Sequence, residues 1–171
     1  MIHMIWVRNQ PTMKVIDTGR GDKFIRVSCL VRNELNGWRP NPKKLPKTEL
    51  VHAISAANHE THEVVMPRPF PSGLWDVAWI EARTNPYQRP FVIMTDAWQF
   101  LDVWSVGPDG GYDKPRGYQV ADHMYGLHYS TSNTTLGCIK IHNMDDLDDL
   151  VERIDDTIKN GETCKLEVVD G

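Results

Sequence analysis

Tyr125-Gly-Leu-His-Tyr-Ser-Thr-Ser-Asn-Thr-Thr-Leu-Gly-Cys-Ile-Lys-Ile-His142 is the stretch on which the reading of this chain turns. Residues 122–130 and 138–142 have the composition of two neighbouring strands, and the small polar run Thr131 to Gly137 joins them. Ile139-Lys-Ile141 alternates at period two, which is the repeat of a strand. Set side by side, the two strands bring His128 near Cys138. A thiol is a strong nucleophile only as thiolate, and an adjacent imidazole is the usual means of making it one. Gly137 lets the backbone approach a substrate closely. The N–H of Cys138, with that of Gly137, is then the expected donor to a developing oxyanion. The stretch points to a cysteine acyl-transfer enzyme with Cys138 as nucleophile and His128 as base.

Outward from this stretch, the chain reads as mostly β. Residues 1–33 contain strand patterns at Met4 to Val7 and Lys23 to Arg32, with a turn at Asp17 to Asp22. Residues 48–58 fit a short helix or a strand equally well. Leu74 to Ile80 places Trp75, Val77 and Trp79 on one face at period two. Phe91 to Met94 and Phe100 to Val106 are further strands, and Gly107 to Gly117 reads as a long flexible loop forming a mobile rim over the site.

One helix stands out. Met144, Leu147, Leu150, Val151, Ile154 and Ile158 form an apolar stripe at helical spacing. Asn143 or Asp145 caps its start, and Asn160-Gly161 ends it. Cys164, Leu166 and Val168 then alternate as a last strand. The expected fold is mostly β (α+β), a β-sandwich or barrel-like domain with one amphipathic helix near 144–159.

The 171 residues suit a single domain with a full core. A net charge of -4 and the absence of a basic patch argue against a nucleic-acid partner. The three cysteines, Cys29, Cys138 and Cys164, have no metal-like spacing, and a disulfide framework is not expected. Cys29 and Cys164 lie in strand patterns and read as small buried residues. The N-terminal residues show no secretory leader, and no segment reaches the ~18 apolar residues of a membrane span. The chain is therefore expected to be cytoplasmic as synthesised.

Thr135-Leu-Gly-Cys-Ile-Lys140, followed by Asn143, a helix and Gly161-Glu-Thr-Cys-Lys-Leu-Glu-Val168, resembles the catalytic end of L,D-transpeptidase (YkuD-type) domains. That family reads His-Gly, a loop, Ser/Thr-His-Gly-Cys-Ile/Val-Arg, a helix, then Gly-Thr and a last strand. Upstream, Pro69-Phe-Pro-Ser-Gly-Leu-Trp-Asp-Val77 is similar to the family's Pro-x-Gly-x-Phe/Tyr-x-Val strand. The resemblance covers about residues 64–169, with the strands of residues 1–33 packed on that catalytic part. It implies action on peptidoglycan stem peptides in the cell wall, by cleavage or transpeptidation through a Cys138 thioester, without metal or cofactor. The missing leader favours endolysin-like hydrolysis over cross-linking.

Within the resemblance, Cys138 matches the nucleophile, His128 the base and Gly137 the motif glycine. Tyr129, Ser130, Leu136 and Lys140 fall at substrate-side positions. Leu136 stands in place of the second motif histidine, Tyr129 in place of the glycine after the base, and Lys140 in place of the usual arginine. The His-to-Cys interval is also shorter than the family's. These departures describe a divergent member.

Other readings compete at particular residues. His123 and His142 are rivals to His128 as base, and Asp122 is a candidate to orient an imidazole. His52, His59 and His62 with Glu60 and Glu63 lack the spacing of a zincin helix, so no metal is expected. The aromatics at 75, 79, 98 and 104 read as core. Asp145, Asp146, Asp148 and Asp149 read as the helix start and its exposed face. The rival functions are a binding module that keeps the fold without catalysis, and a cytosolic Cys–His amidase on another substrate.

Overall fold

A computed structural model describes residues 1–31, 63–65, 68–81, 91–95, 97–106, 112–122, 125–131, 135 and 137–171. Residues 48–58, the histidines 52, 59, 62 and 123, and Leu136 lie outside the described residues. The chain is mostly β with a single helix among the described residues.

Three strands open the chain: β1 (Ile2–Val7), β2 (Thr12–Asp17) and β3 (Lys23–Ser28). Alternation decides which side chains they bury. Ile2, Met4 and Trp6, then Met13 and Val15, then Ile25 and Val27 all turn inward. After β4 (Glu63–Val65) come β5 (Gly73–Glu81), β6 (Phe91–Thr95), β7 (Gln99–Val106), β8 (Tyr112–Asp122), β9 (Gly126–Tyr129) and β10 (Ile139–Ile141). The helix α1 (Met144–Lys159) and β11 (Cys164–Val169) follow.

Eight strands close into a barrel in the order β1-β11-β5-β6-β9-β10-β3-β2. Every member has a neighbour on both sides, so the ring has no open edge. Two of its pairings are parallel, β1 with β11 and β9 with β10. The other three strands form a separate sheet, β4-β7-β8, with β4 inserted between ring strands β3 and β5, and β7 and β8 between β6 and β9. One core cluster joins residues from β1 through β11, including Ile2, Phe70, Tyr125, Ile139 and Leu166.

The structure corrects several details of the sequence reading. Tyr112 to Gly117 is not loop but the start of β8. Pro115 is accommodated there because β8 is the outer strand of its sheet, where a missing N–H is tolerated, and because the ladder shifts register on both sides of Trp104. In β5 the register shifts between Val77 and Trp79, so strict alternation is interrupted there. Trp98 is 42% exposed, not core. On the helix, Leu147, Leu150, Ile154 and Thr157 are buried, whereas Met144 and Ile158 at the ends of the stripe are exposed. Asn143 is the cap, its side chain accepting from the Asp145 and Asp146 N–H groups.

An ion-pair cluster fastens α1 to the β2–β3 turn. Asp17 is almost fully buried and shapes that turn by accepting from the N–H groups of Gly19 and Arg20. Arg153 donates to Asp17 at 2.9 Å, to the Gly21 carbonyl at 2.8 Å and to Asp149 at 2.8 Å. Lys23 reaches Asp149 at 2.8 Å. Lys23 also reaches Asp146 at 3.4 Å, so two of the four acidic residues at the helix start pair with this turn and β3. Burial alone would raise the Asp17 carboxyl, but the two turn N–H groups and Arg153 outweigh it and hold the group below its ordinary 3.8.

Asp17→Asn keeps the shape of the turn and strands the Arg153 charge. Its expected cost is about 2–4 kcal/mol of unfolding free energy at pH 7. The sign of the pH effect follows from a depressed carboxylate: its contribution is present above 3.8 and is lost as pH falls through the lower folded value. Thermal melts of wild type and variant should therefore differ most near neutrality and converge in acid. A constant gap down to pH 2 would contradict this assignment.

Candidate active site

The parallel pairing of β9 with β10 assembles the site. Its register sets Leu127 against Ile139, His128 against Lys140 and Tyr129 against Ile141. Leu127, Ile139 and Ile141 are fully buried in the barrel, and Tyr129 packs against the same core. Alternation then turns His128 and Lys140 to the opposite face, the one to which a regular pleat carried back from β10 would bring Cys138. Cys138 stands immediately before β10, one pleat ahead of Lys140. One strand spacing across and two residues along separate the His128 and Cys138 backbones by about 8 Å, a gap that an imidazole and a thiol span between them. His142 is on the same face, but four residues along a strand from Cys138 is about 13 Å. His128 is therefore the better placed of these two imidazoles.

The His128 ring is oriented by main chain. Its Nδ1 lies 3.1 Å from the Tyr129 carbonyl oxygen. A carbonyl only accepts, so Nδ1 carries the hydrogen and, in the neutral ring, Nε2 carries the lone pair. The Tyr129 side chain does not disturb this contact, because the acceptor is backbone and the phenol ring packs against the core.

Lys140 is 7% exposed and pairs across the sheet with His128 on β9 and Ser28 on β3. His142 Nε2 contacts Ser28 Oγ at 2.9 Å. Burial, and then the positive charges of Lys140 and Arg26, hold His142 below its ordinary 6.5. Ser130, at the end of β9, is buried.

Gly137 makes a turn that no other residue fits well. Its φ is +123°, and a Cβ built there would lie 2.6 Å from the Arg68 carbonyl oxygen and 2.7 Å from the Tyr125 ring. Tyr125 itself is immobilised: Gln99 Nε2 donates to its hydroxyl at 2.6 Å, and Phe70 meets it edge-on with centroids 5.4 Å apart. Thr135 secures the turn from the other side. Its Oγ accepts the Gly137 N–H at 3.2 Å and donates to the Cys138 carbonyl at 2.7 Å. Its own N–H donates to the Leu30 carbonyl at 3.0 Å. The Gly137 N–H is thus turned to Thr135.

Thr135, Tyr125 and Cys29 were not expected at the site. Cys29 Sγ lies 3.2 Å from the Gly137 carbonyl oxygen. Thr135 had a signal, a hydroxyl two residues before a glycine, where side-chain-to-backbone bonds are common. Cys29 had none, because its partner is 108 positions away. Cys164 fits the sequence reading: it is buried, and burial pushes its thiol up to about 11. No disulfide joins the three cysteines. Among the described residues, no cluster of histidine, cysteine or carboxylate side chains forms a metal site, and no helix is long and apolar enough to cross a membrane.

No protein-family model matches this chain, and neither a curated protein nor a solved structure matches it.

Two outcomes follow from the geometry. Gly137→Ala combines a left-handed backbone with two close contacts, and should lower unfolding free energy by at least about 2 kcal/mol, read by chemical denaturation. Histidine NMR titration should show His142 protonating below 6.5, with Lys140→Met moving it upward. A His142 that titrates identically in wild type and variant would contradict the assigned proximity.

Proposed function

We propose that this protein is a cysteine acyl-transfer enzyme of the L,D-transpeptidase kind, acting on peptidoglycan stem peptides. The observation that supports the reading is the His128 ring held by the Tyr129 carbonyl on β9, the strand paired with β10, which Cys138 immediately precedes. The substrate class comes from the sequence resemblance around Cys138.

The chemistry follows from the tautomer. Nε2 of His128 takes the proton of the Cys138 thiol. The thiolate attacks the carbonyl carbon of an L-centred residue, and the Cys138 N–H stabilises the oxyanion that forms. Collapse breaks the bond to the following D-residue, and His128 returns the proton to the departing amine. A thioester on Cys138 remains. Water or an amine then adds to it with His128 as base, releasing the thiol. Lys140 places a buried cation on the same face, which favours the anionic species at both stages.

The test is mass spectrometry of peptidoglycan digests incubated with wild type, Cys138→Ala and His128→Gln. Wild type should produce new peptides or cross-links whose masses identify water or amine as acceptor. Cys138→Ala should produce none, and His128→Gln should react about 10²–10⁴-fold more slowly. An unchanged digest from folded wild type would reject the reading and favour a binding module, or an amidase acting on another substrate.

A further inference from the structure

The face of β3 and β10 turned away from the core carries a block of basic side chains with no acid among them. On β3, Ile25 and Val27 are buried in the core, so alternation puts Arg26 and Ser28 on the other face. Ser28 pairs directly with Lys140 of β10. The His142 N–H donates to the Arg26 carbonyl, which sets these two residues opposite one another. Directly opposite residues of an antiparallel pair share a face, with Cβ atoms about 5 Å apart. The side chains agree with this placement: His142 Nε2 lies 2.9 Å from Ser28 Oγ, and the charges of Lys140 and Arg26 both act on His142. His128 faces Lys140 from β9, and Thr12 faces Arg26 from β2.

This block lacks counter-charge. Among the described residues, no carboxylate occupies a position on this face of β2, β3, β9 or β10, and none pairs with the exposed Arg26 guanidinium. The acids nearest in sequence, Asp145 and Asp146, open α1, where Asp146 is paired with Lys23. Exposure falls across the block, from Arg26 in solvent through half-buried Ser28 and His142 to buried Lys140. A proton on His142 is opposed there by two like charges in a partly buried setting, and an anion beside them would relieve that opposition.

We propose that Arg26, Ser28 and His142 form an oxyanion-binding site for a carboxylate or phosphate group of a ligand, with Lys140 contributing through its charge alone. The guanidinium offers a planar fork that engages two oxygens at once. A protonated His142 donates from both ring nitrogens, so its Nε2 gives a hydrogen to Ser28 Oγ and the hydroxyl hydrogen is left for the anion. Binding is thereby linked to proton uptake: the anion favours the charged ring, and the charged ring holds the anion more tightly. The site uses neither Cys138 nor His128, so it stands or falls separately from the acyl-transfer reading.

The test is NMR titration of the histidine rings of the full chain at constant ionic strength, with chloride replaced by sodium acetate or by sodium phosphate. Wild type, Arg26→Gln and Ser28→Ala would be compared, and His142→Gln identifies the signal. The expected result is a saturable upward shift of the His142 titration by about one pH unit with at least one of the two anions. By reciprocity that anion binds about tenfold more tightly to the protonated protein. Arg26→Gln should weaken the binding about tenfold or more, and Ser28→Ala should shrink the shift. Acetate acting at lower concentration than phosphate would identify a carboxylate ligand, and the reverse a phosphoryl ligand. No saturable shift with either anion would overturn the proposal. So would an anion-induced shift equally large in Arg26→Gln at the same concentrations, which would mark an adventitious ion only.

Discussion

The parallel pairing of β9 with β10 is the constraint on which the rest of the candidate site depends. A one-residue slip in that register would carry His128 to the inner face and leave the thiol without an imidazole beside it. The register is held because Leu127, Ile139 and Ile141 are fully buried, and shifting any of them outward would expose apolar surface on both strands. The barrel adds a second restraint. β10 is also paired to β3, and β9 to β6, so neither strand can slide without disturbing another ladder. The closed ring therefore acts as a jig for two polar side chains that contribute nothing to its core.

Immediately before β10 the ladder gives way to side-chain control. β3 and β10 pair at Val27 with Ile141 and at Ser28 with Lys140, and then Leu30 gives its carbonyl to Thr135 instead. The turn at Gly137 is consequently shaped by Thr135, Cys29 and the wall of Tyr125 and Arg68 rather than by strand hydrogen bonds. This is a common economy in active sites: regular structure sets position, and a short irregular segment sets the aim of individual N–H groups. Gln99 ties that wall to the first residue of β7, so the inserted β4-β7-β8 sheet is anchored directly behind the glycine.

Much of the fold was legible because it is periodic. Cys164, Leu166 and Val168 alternate, and the helix stripe repeats at helical spacing; burial follows both patterns, except at the exposed helix ends Met144 and Ile158. What could not be read is what depends on partners distant in sequence. Nothing local says that β9 and β10 run parallel, that Lys140 is buried, or that Cys29 meets Gly137. Local composition also misled. Glycines and prolines between 107 and 117 signal a loop, yet Tyr112 onward pairs with β7, since an outer strand tolerates both residues at register shifts. Gly137 was legible as a site of close backbone approach, but not that its N–H would be turned to Thr135.

On the transpeptidase-like reading proposed above, the residues that differ from that motif have different physical weight. Tyr129 costs the proposed base nothing, because the atom that orients His128 is a main-chain oxygen and the side chain packs against the core. Lys140 is a larger change. A guanidinium offers a planar fork that engages a carboxylate through two parallel bonds, whereas an ammonium is a compact charge with rotatable donors. With that charge buried beside Ser28 and His128 in cross-strand positions, its influence is a local positive potential more than a geometric template. Such a potential favours anions of many shapes on this face.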